Sequence, residues 1–402
     1  MEPTRKELIW AAVVLVSIPV LFEAGLRISG IQFEPQLYEP NRERGWALRA
    51  GAHGVVSGEA RQAVQINSHG FRDRERSFEK PEGTVRIAIL GNSWTEALQV
   101  PLEKTYPAVV EEELGESGCF TDKKVEVLNF GVAGYSTAQE LLALRQEVWK
   151  YSPDFVLLAF YPARDIANNV RALNNAASPE QSPYFVFRDG HLVEDDAFRE
   201  LPALQGRQVE LQKLRYRIYG NSRVLQAIST LQRGARLRIA TAEAKERAES
   251  FGVENLEYGI YAPPPSSSMQ EAWQVTEGQL ELMRDEVRSH GAEFRVIVLA
   301  TRPQVIPDLA KRAELMTKLG VKDLSYADER IQDFGAREKI SVIPLSPALG
   351  AYAGEHGVYL NGFNNRNWGA GHWNETGHRV AGEAIAAELC HDVNMRSEAG
   401  SP

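Results

Sequence analysis

The chain has 402 residues, of which 43% are hydrophobic and 25% are charged, and its formal net charge is -9. This composition is that of a globular protein with one large domain carrying insertions, or with two domains. The negative net charge argues against a nucleic-acid partner, because phosphate binding requires a concentrated basic surface.

The N-terminal segment 1–31 has the pattern of an export signal. Arg5 and Lys6 precede an apolar run from Leu8 to Phe22, which reaches the length of a membrane span if it extends to Leu26. No convincing small-x-small cleavage site follows, so we favour an uncleaved signal anchor over a cleaved signal peptide. A buried amphipathic helix fits less well, because the run is apolar on all faces. Basic residues on the cytoplasmic side predict an extracytoplasmic domain, periplasmic or at the cell surface.

Residues 32–82 predict a linker and cap segment. They are rich in Pro, Gly, Arg and Glu and contain only short extended pieces, such as Ala63 to Ile66. The sequence INSHGFRD, Ile66 to Asp73, combines Asn and Gly with one aromatic residue. We interpret it as a surface turn that packs Phe71.

Residues 83–392 predict an α/β domain, followed by a tail at 393–402. Short β-rich apolar runs alternate with helical patterns, as in a parallel sheet covered on both faces. The predicted strands are Val85–Leu90, Val125–Phe130, Phe155–Phe160, Phe294–Ala300 and Ile340–Pro344, and the predicted helices are Leu102–Leu114, Thr137–Trp149, Gln270–Ser289 and Glu375–Leu389. The pattern indicates a three-layer α/β sandwich with a five-stranded parallel sheet.

A large insertion is expected at about residues 167–269. Asp189-Gly190 supplies a two-residue turn for a hairpin of Tyr184–Phe187 and His191–Val193. A basic helical stretch, Val209–Arg247, follows. It fits a solvated helix face, a lid, or a surface that faces anionic lipid or polysaccharide.

Four polar segments follow predicted strands, at the edge where open α/β sheets bind ligands. GNSWTEA places Ser93 on a tight turn before a helix, and NFGVAGYST offers the N–H of Gly134 to a developing oxyanion. FYPARDIANN follows the third strand. GAGHWNETGH places His372 where a general base for Ser93 is expected. Taken singly, Ser93 also fits a helix cap, the glycines a turn and His372 a structural role.

Together and in this order, the four segments resemble the SGNH or GDSL family of hydrolases, over roughly Val85 to Leu389. The resemblance implies a flavodoxin-like fold, with Ser93 as nucleophile, His372 as base and the N–H of Gly134 in the oxyanion hole. The N-terminal anchor with INSHGFRD and GNSWTEA is similar to membrane-anchored bacterial members found near exopolysaccharide genes. This implies an acylated carbohydrate or a small ester as substrate, and it leaves polysaccharide-assembly proteins open as partners.

Some positions depart from the family pattern. Asn92 stands where the family has aspartate before the serine, and Arg164, followed by Asp165, stands where it has the oxyanion asparagine. We expect Arg164 to be a further oxyanion donor, and Asn92, Asp165 and Trp373 to line the site. The aspartate that normally orients the histidine is missing, because Gly369-Ala370-Gly371 occupies its place. Either another acid substitutes for it, or a Ser–His dyad works slowly.

We favour an enzyme of acyl transfer that acts on ester groups of envelope or exported polysaccharide. Water as second acceptor makes an esterase, whereas a sugar hydroxyl makes an O-acetyltransferase. The alternative is a catalytically weak or inactive protein that binds glycan or scaffolds polysaccharide assembly. We expect no metal and no cofactor, because the eight histidines lack zinc-ligand spacing and no phosphate-binding loop follows a strand.

Cys119 and Cys390 are the two cysteines of the chain. Cys119 follows the first predicted helix of the sheet domain and Cys390 ends the last, and these helices can share a face of a doubly wound sheet. A disulfide and two inert buried thiols both fit this placement.

Overall fold

The structure, a computed structural model, describes residues 4–174, 179–232, 256–363 and 368–399. Its strands, in chain order, are β1 (Tyr38–Asn41), β2 (Gly45–Leu48), β3 (His53–Val56), β4 (Gln62–Gln65), β5 (Thr84–Gly91), β6 (Lys124–Gly131), β7 (Phe155–Phe160), β8 (Tyr184–Arg188), β9 (His191–Asp195), β10 (Glu293–Val298) and β11 (Ser341–Pro344). Its α-helices are α1 (Arg5–Ile28), α2 (Ser93–Glu96), α3 (Tyr106–Ser117), α4 (Thr137–Gln146), α5 (Pro162–Asn168), α6 (Gly206–Asn221), α7 (described over residues 223–232), α8 (Ser267–Ser289), α9 (Leu309–Leu319), α10 (Tyr326–Glu338), α11 (Ser346–His356) and α12 (Glu375–Ala399).

The central sheet has five parallel strands in the order β6-β5-β7-β10-β11. Every residue of β5 is buried, as expected for a central strand that is covered by helices on both faces. Gly91 of β5 pairs with Gly131 of β6 and with Ala159 of β7, so these strands end together. The predicted three-layer α/β sandwich is confirmed, and the loops after β5, β6 and β7 share one edge of the sheet.

Several element boundaries differ from the predicted ones. The predicted helix Leu102–Leu114 begins as a 3-10 turn and is interrupted at Thr105, whose extended backbone makes it the N-cap residue of α3. The predicted strand Phe294–Ala300 ends at Val298, opposite the last residues of both neighbouring strands. At the other end of the domain, α12 continues beyond its predicted end at Leu389.

Residues 32–82, predicted as a linker and cap segment, form two antiparallel hairpins, β1–β2 and β3–β4, and the turn after them. That turn, INSHGFRD, packs Phe71 against Phe130 as predicted and exposes Ser68, but its later part is not on the surface, because Arg72 is buried. The Arg72 guanidinium donates to the carbonyl oxygens of Glu96, Ala97 and Val100. These acceptors compensate the burial of a charged side chain. The N-terminal segment therefore holds the loop that follows α2.

The insertion contains the predicted hairpin, formed by β8 and β9. Asp189 and Gly190 have φ angles of 51° and 80°, the left-handed pair that a two-residue hairpin turn requires. Of the predicted basic stretch Val209–Arg247, the structure describes α6 and α7, which are separated at Ser222. Residues 233–247 lie outside the described residues.

Helix α1 is long and apolar enough to cross a membrane. It has 24 residues. An 18-residue window within it has a mean hydropathy of 2.1, and none of this window is buried within the protein. A signal sequence near the N-terminus has the same properties.

A disulfide joins Cys119, which follows α3, to Cys390 in α12. The Cα atoms lie 5.4 Å apart, within the ordinary range for a bridged pair. Of the two arrangements that the sequence allowed, the structure contains the bridge.

Candidate active site

The carboxyl end of β5 presents Ser93. Asn92 caps α2 by accepting a hydrogen bond from the Trp94 N–H (3.2 Å), and Ser93 is the first residue of that short helix. A side chain on Gly91 would overlap Thr95, so glycine allows the strand and the helix to approach closely. The tight turn leaves Ser93 partly exposed at the edge of the sheet.

His372 faces Ser93 from the loop that precedes α12. Its Nε2 lies 2.8 Å from Ser93 Oγ, although the two residues are 279 positions apart. The imidazole packs beside the Trp94 indole, with ring centroids 4.9 Å apart. A β-bridge between Asn361 and Trp373 holds the loop. The structure thus brings the predicted nucleophile and base into hydrogen-bond contact.

Glu59, in the loop between β3 and β4, contacts His372 twice. Its Oε1 lies 2.8 Å from Nδ1, and its Oε2 accepts a hydrogen bond from the backbone N–H at 2.7 Å. Partial burial raises the pKa of Glu59, but the hydrogen bonds from His372 outweigh it and the pKa lies below its ordinary value. An ionised carboxylate only accepts hydrogen bonds, so Nδ1 carries the ring proton. Nε2 is then free to accept a proton from Ser93.

Gly371 leaves the space that the Glu59 carboxylate occupies. A Cβ built on Gly371 would overlap the Glu59 carboxylate, and its φ of 76° is in the left-handed region. The family has its orienting aspartate in this part of the chain, whereas this chain has glycine and supplies an acid from the N-terminal hairpins. The Gln99 side-chain amide lies 3.2 Å from the same Nδ1 and flanks the contact.

The two backbone N–H groups predicted as oxyanion donors belong to Ser93 and Gly134. Ser93 and Gly134 follow paired strands at the same edge, and neither amide donates to an acceptor among the described residues. Gly134 has a φ of 81°, and a Cβ there would lie 3.2 Å from the ring of Trp46. The conformation and the close approach both favour glycine.

Arg164, predicted as an oxyanion donor, is exposed in the first turn of α5. Within the described parts of the chain, its guanidinium has no hydrogen bond or ion pair that would hold it over Ser93. The structure therefore places Arg164 at the rim, without fixing it in the site.

Asn92 and Asp165 were expected to line the site, but they lie behind the nucleophile turn. The Asn92 amide donates to Asp165 Oδ1 at 3.0 Å, and the Tyr161 N–H donates to Oδ2 at 2.6 Å. Complete burial raises the pKa of Asp165 to about 7, although these donors lower it. Burial and the charge of Asp165 also raise the pKa of Glu140 well above its ordinary value. An amide at position 92 donates to this carboxyl in either protonation state, which a carboxylate could not do.

Trp373 does not line the open site as expected. Its side chain is fully buried and packs edge-on against Trp94, with ring centroids 5.1 Å apart. Since Trp94 also contacts His372, Trp373 supports the wall behind the base.

A cleft of about 620 Å³ adjoins the site at Gln99, whose amide contacts His372, although His372 and Ser93 are not among its lining residues. Gln99 lies in its wall, and the residues after Glu59 form one side. Its lining combines aromatic rings with polar groups, and it includes Tyr359, Phe363, Trp368, Arg61, Gln62 and Asn374. The mixture suits a ligand with both hydroxyl groups and apolar faces.

Sequence reasoning missed Glu59 and Gln99. Glu59 is 313 positions from His372 and lies in a polar loop without a recognisable motif. The absence of the family aspartate indicated that an acid was missing, but it did not indicate where a substitute would come from.

Comparisons with known proteins give distant matches. An arylesterase from Vibrio mimicus is 30% identical over 77 residues, which are 19% of this chain and 36% of that protein. The chain therefore spans about a third of the length of this curated relative. No family model matches the chain.

Solved structures align over most of the chain at low identity. A protein described as lipolytic and of the G-D-S-L family, from Desulfitobacterium hafniense DCB-2, is 11% identical, with 75% of this chain and 98% of that chain covered and a TM-score of 0.34. A catalytic mutant of an acetylxylan esterase from Geobacillus stearothermophilus is 10% identical, with 76% and 94% covered and a TM-score of 0.37.

The chain resembles SGNH/GDSL hydrolases in its sheet and in the order of its site segments, as its motifs predicted. Because the matches to individual proteins are distant, we base the chemistry on the contacts around Ser93.

Proposed function

We propose that the protein is a serine esterase of SGNH type, in which Ser93, His372 and Glu59 form the catalytic triad. The observation that carries this proposal is the continuous chain of hydrogen bonds from Ser93 Oγ through both ring nitrogens of His372 to Glu59. A serine, an imidazole and a carboxylate in this order define a nucleophile, its base and the group that orients the base.

In the first half-reaction, Ser93 Oγ attacks the ester carbonyl while His372 Nε2 takes its proton. The tetrahedral intermediate collapses by breaking the carbon–oxygen bond to the alcohol, which leaves with the proton from Nε2. The acyl group remains on Ser93. Glu59 acts through His372, because it keeps the proton on Nδ1 and stabilises the imidazolium that forms.

In the second half-reaction, a water molecule gives its proton to His372 Nε2 and attacks the acyl-enzyme. The carboxylic acid leaves as Ser93 regains a proton from the imidazolium. In both steps the negative charge develops on the former carbonyl oxygen, where the N–H groups of Ser93 and Gly134 stabilise it.

Acylated carbohydrate is the substrate class that we propose. The cleft next to Gln99 combines aromatic side chains, such as the exposed Trp368 and the half-buried Tyr359, with amide and guanidinium groups. Aromatic faces pack against the apolar faces of sugar rings, and polar groups bind their hydroxyls. Transfer of the acyl group to a sugar hydroxyl instead of water uses the same acyl-enzyme.

We also propose that α1 anchors the protein in a membrane with the esterase domain outside the cytoplasm. Arg5 and Lys6 precede the apolar run, which favours a cytoplasmic N-terminus. The Cys119–Cys390 disulfide supports this placement, because such bonds persist mainly in oxidising compartments.

The decisive experiment measures p-nitrophenyl acetate hydrolysis and labelling by a fluorophosphonate probe. We expect labelling and turnover in the parent chain, and loss of both in Ser93→Ala. His372→Ala should retain little turnover. Ser68→Ala is a matched control, because Ser68 is exposed and bonds to Glu75 in the N-terminal segment. A folded parent chain that is neither labelled nor active would refute the esterase and would support a glycan-binding protein.

Acyl acceptors are distinguished in a second assay. Acetylated xylan is offered as donor, and released acetate is compared with acetyl groups found on an added unacetylated oligosaccharide. Free acetate alone identifies a hydrolase, and a Ser93-dependent acetylated oligosaccharide identifies a transferase.

A further inference from the structure

In the pair of consecutive helices α6 and α7, helix α6 exposes an apolar stripe that points away from the rest of the described chain. Leu211, Leu214 and Ile218 are 52%, 53% and 51% exposed. At 3.6 residues per turn they fall within about 60° of one another around the axis of α6. Val209, the buried residue of α6, lies on the opposite side. The stripe therefore does not belong to the protein core.

Basic side chains accompany this stripe. Helix α6 carries four basic residues and one acid: Arg207, Lys213, Arg215, Arg217 and Glu210. The same helical geometry puts Arg215 and Arg217 on the two sides of the apolar residues, and it puts Arg207 in line with them, one turn before Leu211. An apolar face flanked by cationic side chains is the composition of helices that lie in the interface of an anionic bilayer.

The junction between α6 and α7 is attached to the C-terminal end of α1. Glu23 of α1 accepts hydrogen bonds from Ser222 Oγ and from the backbone N–H groups of Arg223 and Val224, at 2.9, 3.0 and 3.0 Å. Arg27 donates to the carbonyl oxygen of Asn221 at 2.6 Å. The junction between α6 and α7 is thus bound to the last turns of α1.

This attachment determines how far α6 and α7 lie from the membrane surface. At a rise of 1.5 Å per residue, the apolar part of α1 before Glu23 and Arg27 is close to the thickness of the hydrocarbon core. Glu23 and Arg27 then lie near the membrane interface, and the junction between α6 and α7 lies beside them. On its other side, Gly220 packs against the Arg49 guanidinium, which connects α6 to the hairpins that carry Glu59.

We infer that the helices α6 and α7 hold the esterase domain on the surface of the bilayer that contains α1. Leu211, Leu214 and Ile218 lie in the interface, and the arginines of α6 contact anionic lipid headgroups. This inference rests on the proposed membrane anchor. It does not require the proposed esterase activity.

The test uses the full chain in vesicles of phosphatidylcholine with a minority of phosphatidylglycerol. With Cys119 and Cys390 paired, a single introduced cysteine carries an environment-sensitive fluorophore, and lipids with a nitroxide at a shallow acyl position, for position 214, or at a deep one, for position 15, act as quenchers. The labelled positions are Leu214→Cys, Leu15→Cys in the middle of α1, and Glu112→Cys on the exposed acidic side of α3.

We expect the fluorophores at positions 214 and 15 to lose at least half of their intensity, and the one at 112 to be unaffected. Quenching at 15 without quenching at 214 would overturn the inference and leave the anchor intact. No quenching at 15 would remove the anchor and the inference together. Oxidative cross-linking of Leu214→Cys between two chains, without lipid quenching, would assign the stripe to a second copy of the chain and overturn the inference.

Discussion

Replacement of Glu59 by glutamine tests the triad most directly. The two Glu59 oxygens contact the backbone N–H and Nδ1 of His372 separately, whereas a glutamine amide has an oxygen acceptor at one position and an NH₂ donor at the other, so it cannot accept at both. If its NH₂ group faces Nδ1, it stabilises the tautomer whose protonated Nε2 cannot accept a proton from Ser93.

The expected magnitude follows from the geometry. Carboxylate and imidazolium charges about 4 Å apart interact by about 4 kcal/mol at an effective dielectric constant of about 20. This corresponds to about a thousandfold in rate. The side chains of His372 and Glu59 are 21% and 32% exposed, so water screens part of the interaction. We expect kcat to fall by about 100-fold to 1000-fold, with KM changed by about threefold or less.

The assay is p-nitrophenyl acetate turnover at saturating substrate, with thermal unfolding recorded on the same sample. Glu75→Gln is the matched control, because Glu75 also accepts two hydrogen bonds in the N-terminal segment but only from Ser68. If Glu59→Gln stays folded and keeps kcat within about twofold of the parent chain, Glu59 is not the triad acid and the reasoning fails.

Four further results are expected. Gly371→Ala should lower kcat to a similar extent as Glu59→Gln, since a methyl group displaces the carboxylate, and steady-state kinetics measures it. Gly134→Ala should lower kcat by about 10-fold to 1000-fold by disturbing an oxyanion donor, with the unfolding temperature as a check on the backbone strain. Cys119→Ser should lower the free energy of unfolding by about 2–5 kcal/mol in urea titrations, and reductant should reproduce the loss in the parent chain. Asp165 has a folded pKa of about 7, so its contribution to stability is complete below about pH 4 and is lost as the pH rises to about 7. Asp165→Asn should reduce that slope in unfolding measurements across this range.

Each expectation has a contrary outcome. Full activity in Gly371→Ala would mean that catalysis does not need the Glu59 carboxylate beside Gly371. Full activity in Gly134→Ala would mean that the Gly134 N–H does not stabilise the oxyanion. An unchanged unfolding free energy in Cys119→Ser would show that the bridge does not stabilise the domain. An unchanged pH slope in Asp165→Asn would assign the titration to other buried acids, such as Glu96, whose pKa burial raises to about 7.

The sheet was predictable because its signals are local. Each of the five strands is a short apolar run, and the loops after β5, β6 and β7 meet because parallel strands end at one edge. Helix α10 was not predicted, although Ala327, Ile331 and Phe334 are buried on one of its faces. Their helical spacing is visible in the sequence and would have predicted the helix. The loop residues were placed less well than the strands.

Burial explains why several site residues were misplaced. Trp373, Asn92 and Asp165 adjoin His372, Ser93 and Arg164 in the chain, and this proximity to proposed site residues suggested that they line the site. In the structure their side chains turn into the core, where Trp373 packs on Trp94 and Asn92 bonds to Asp165. Neighbours of a functional residue at a turn point in different directions, and sequence alone does not give those directions.

Glu59, Ser93 and His372 occur in this order along the chain, and the base lies 313 positions after the acid. During synthesis the acid emerges well before the base. The three groups meet only after the last helix has joined the sheet. In the exported esterase that we propose, the triad is therefore incomplete until the domain folds outside the cytoplasm, and an unfolded chain in transit cleaves no esters.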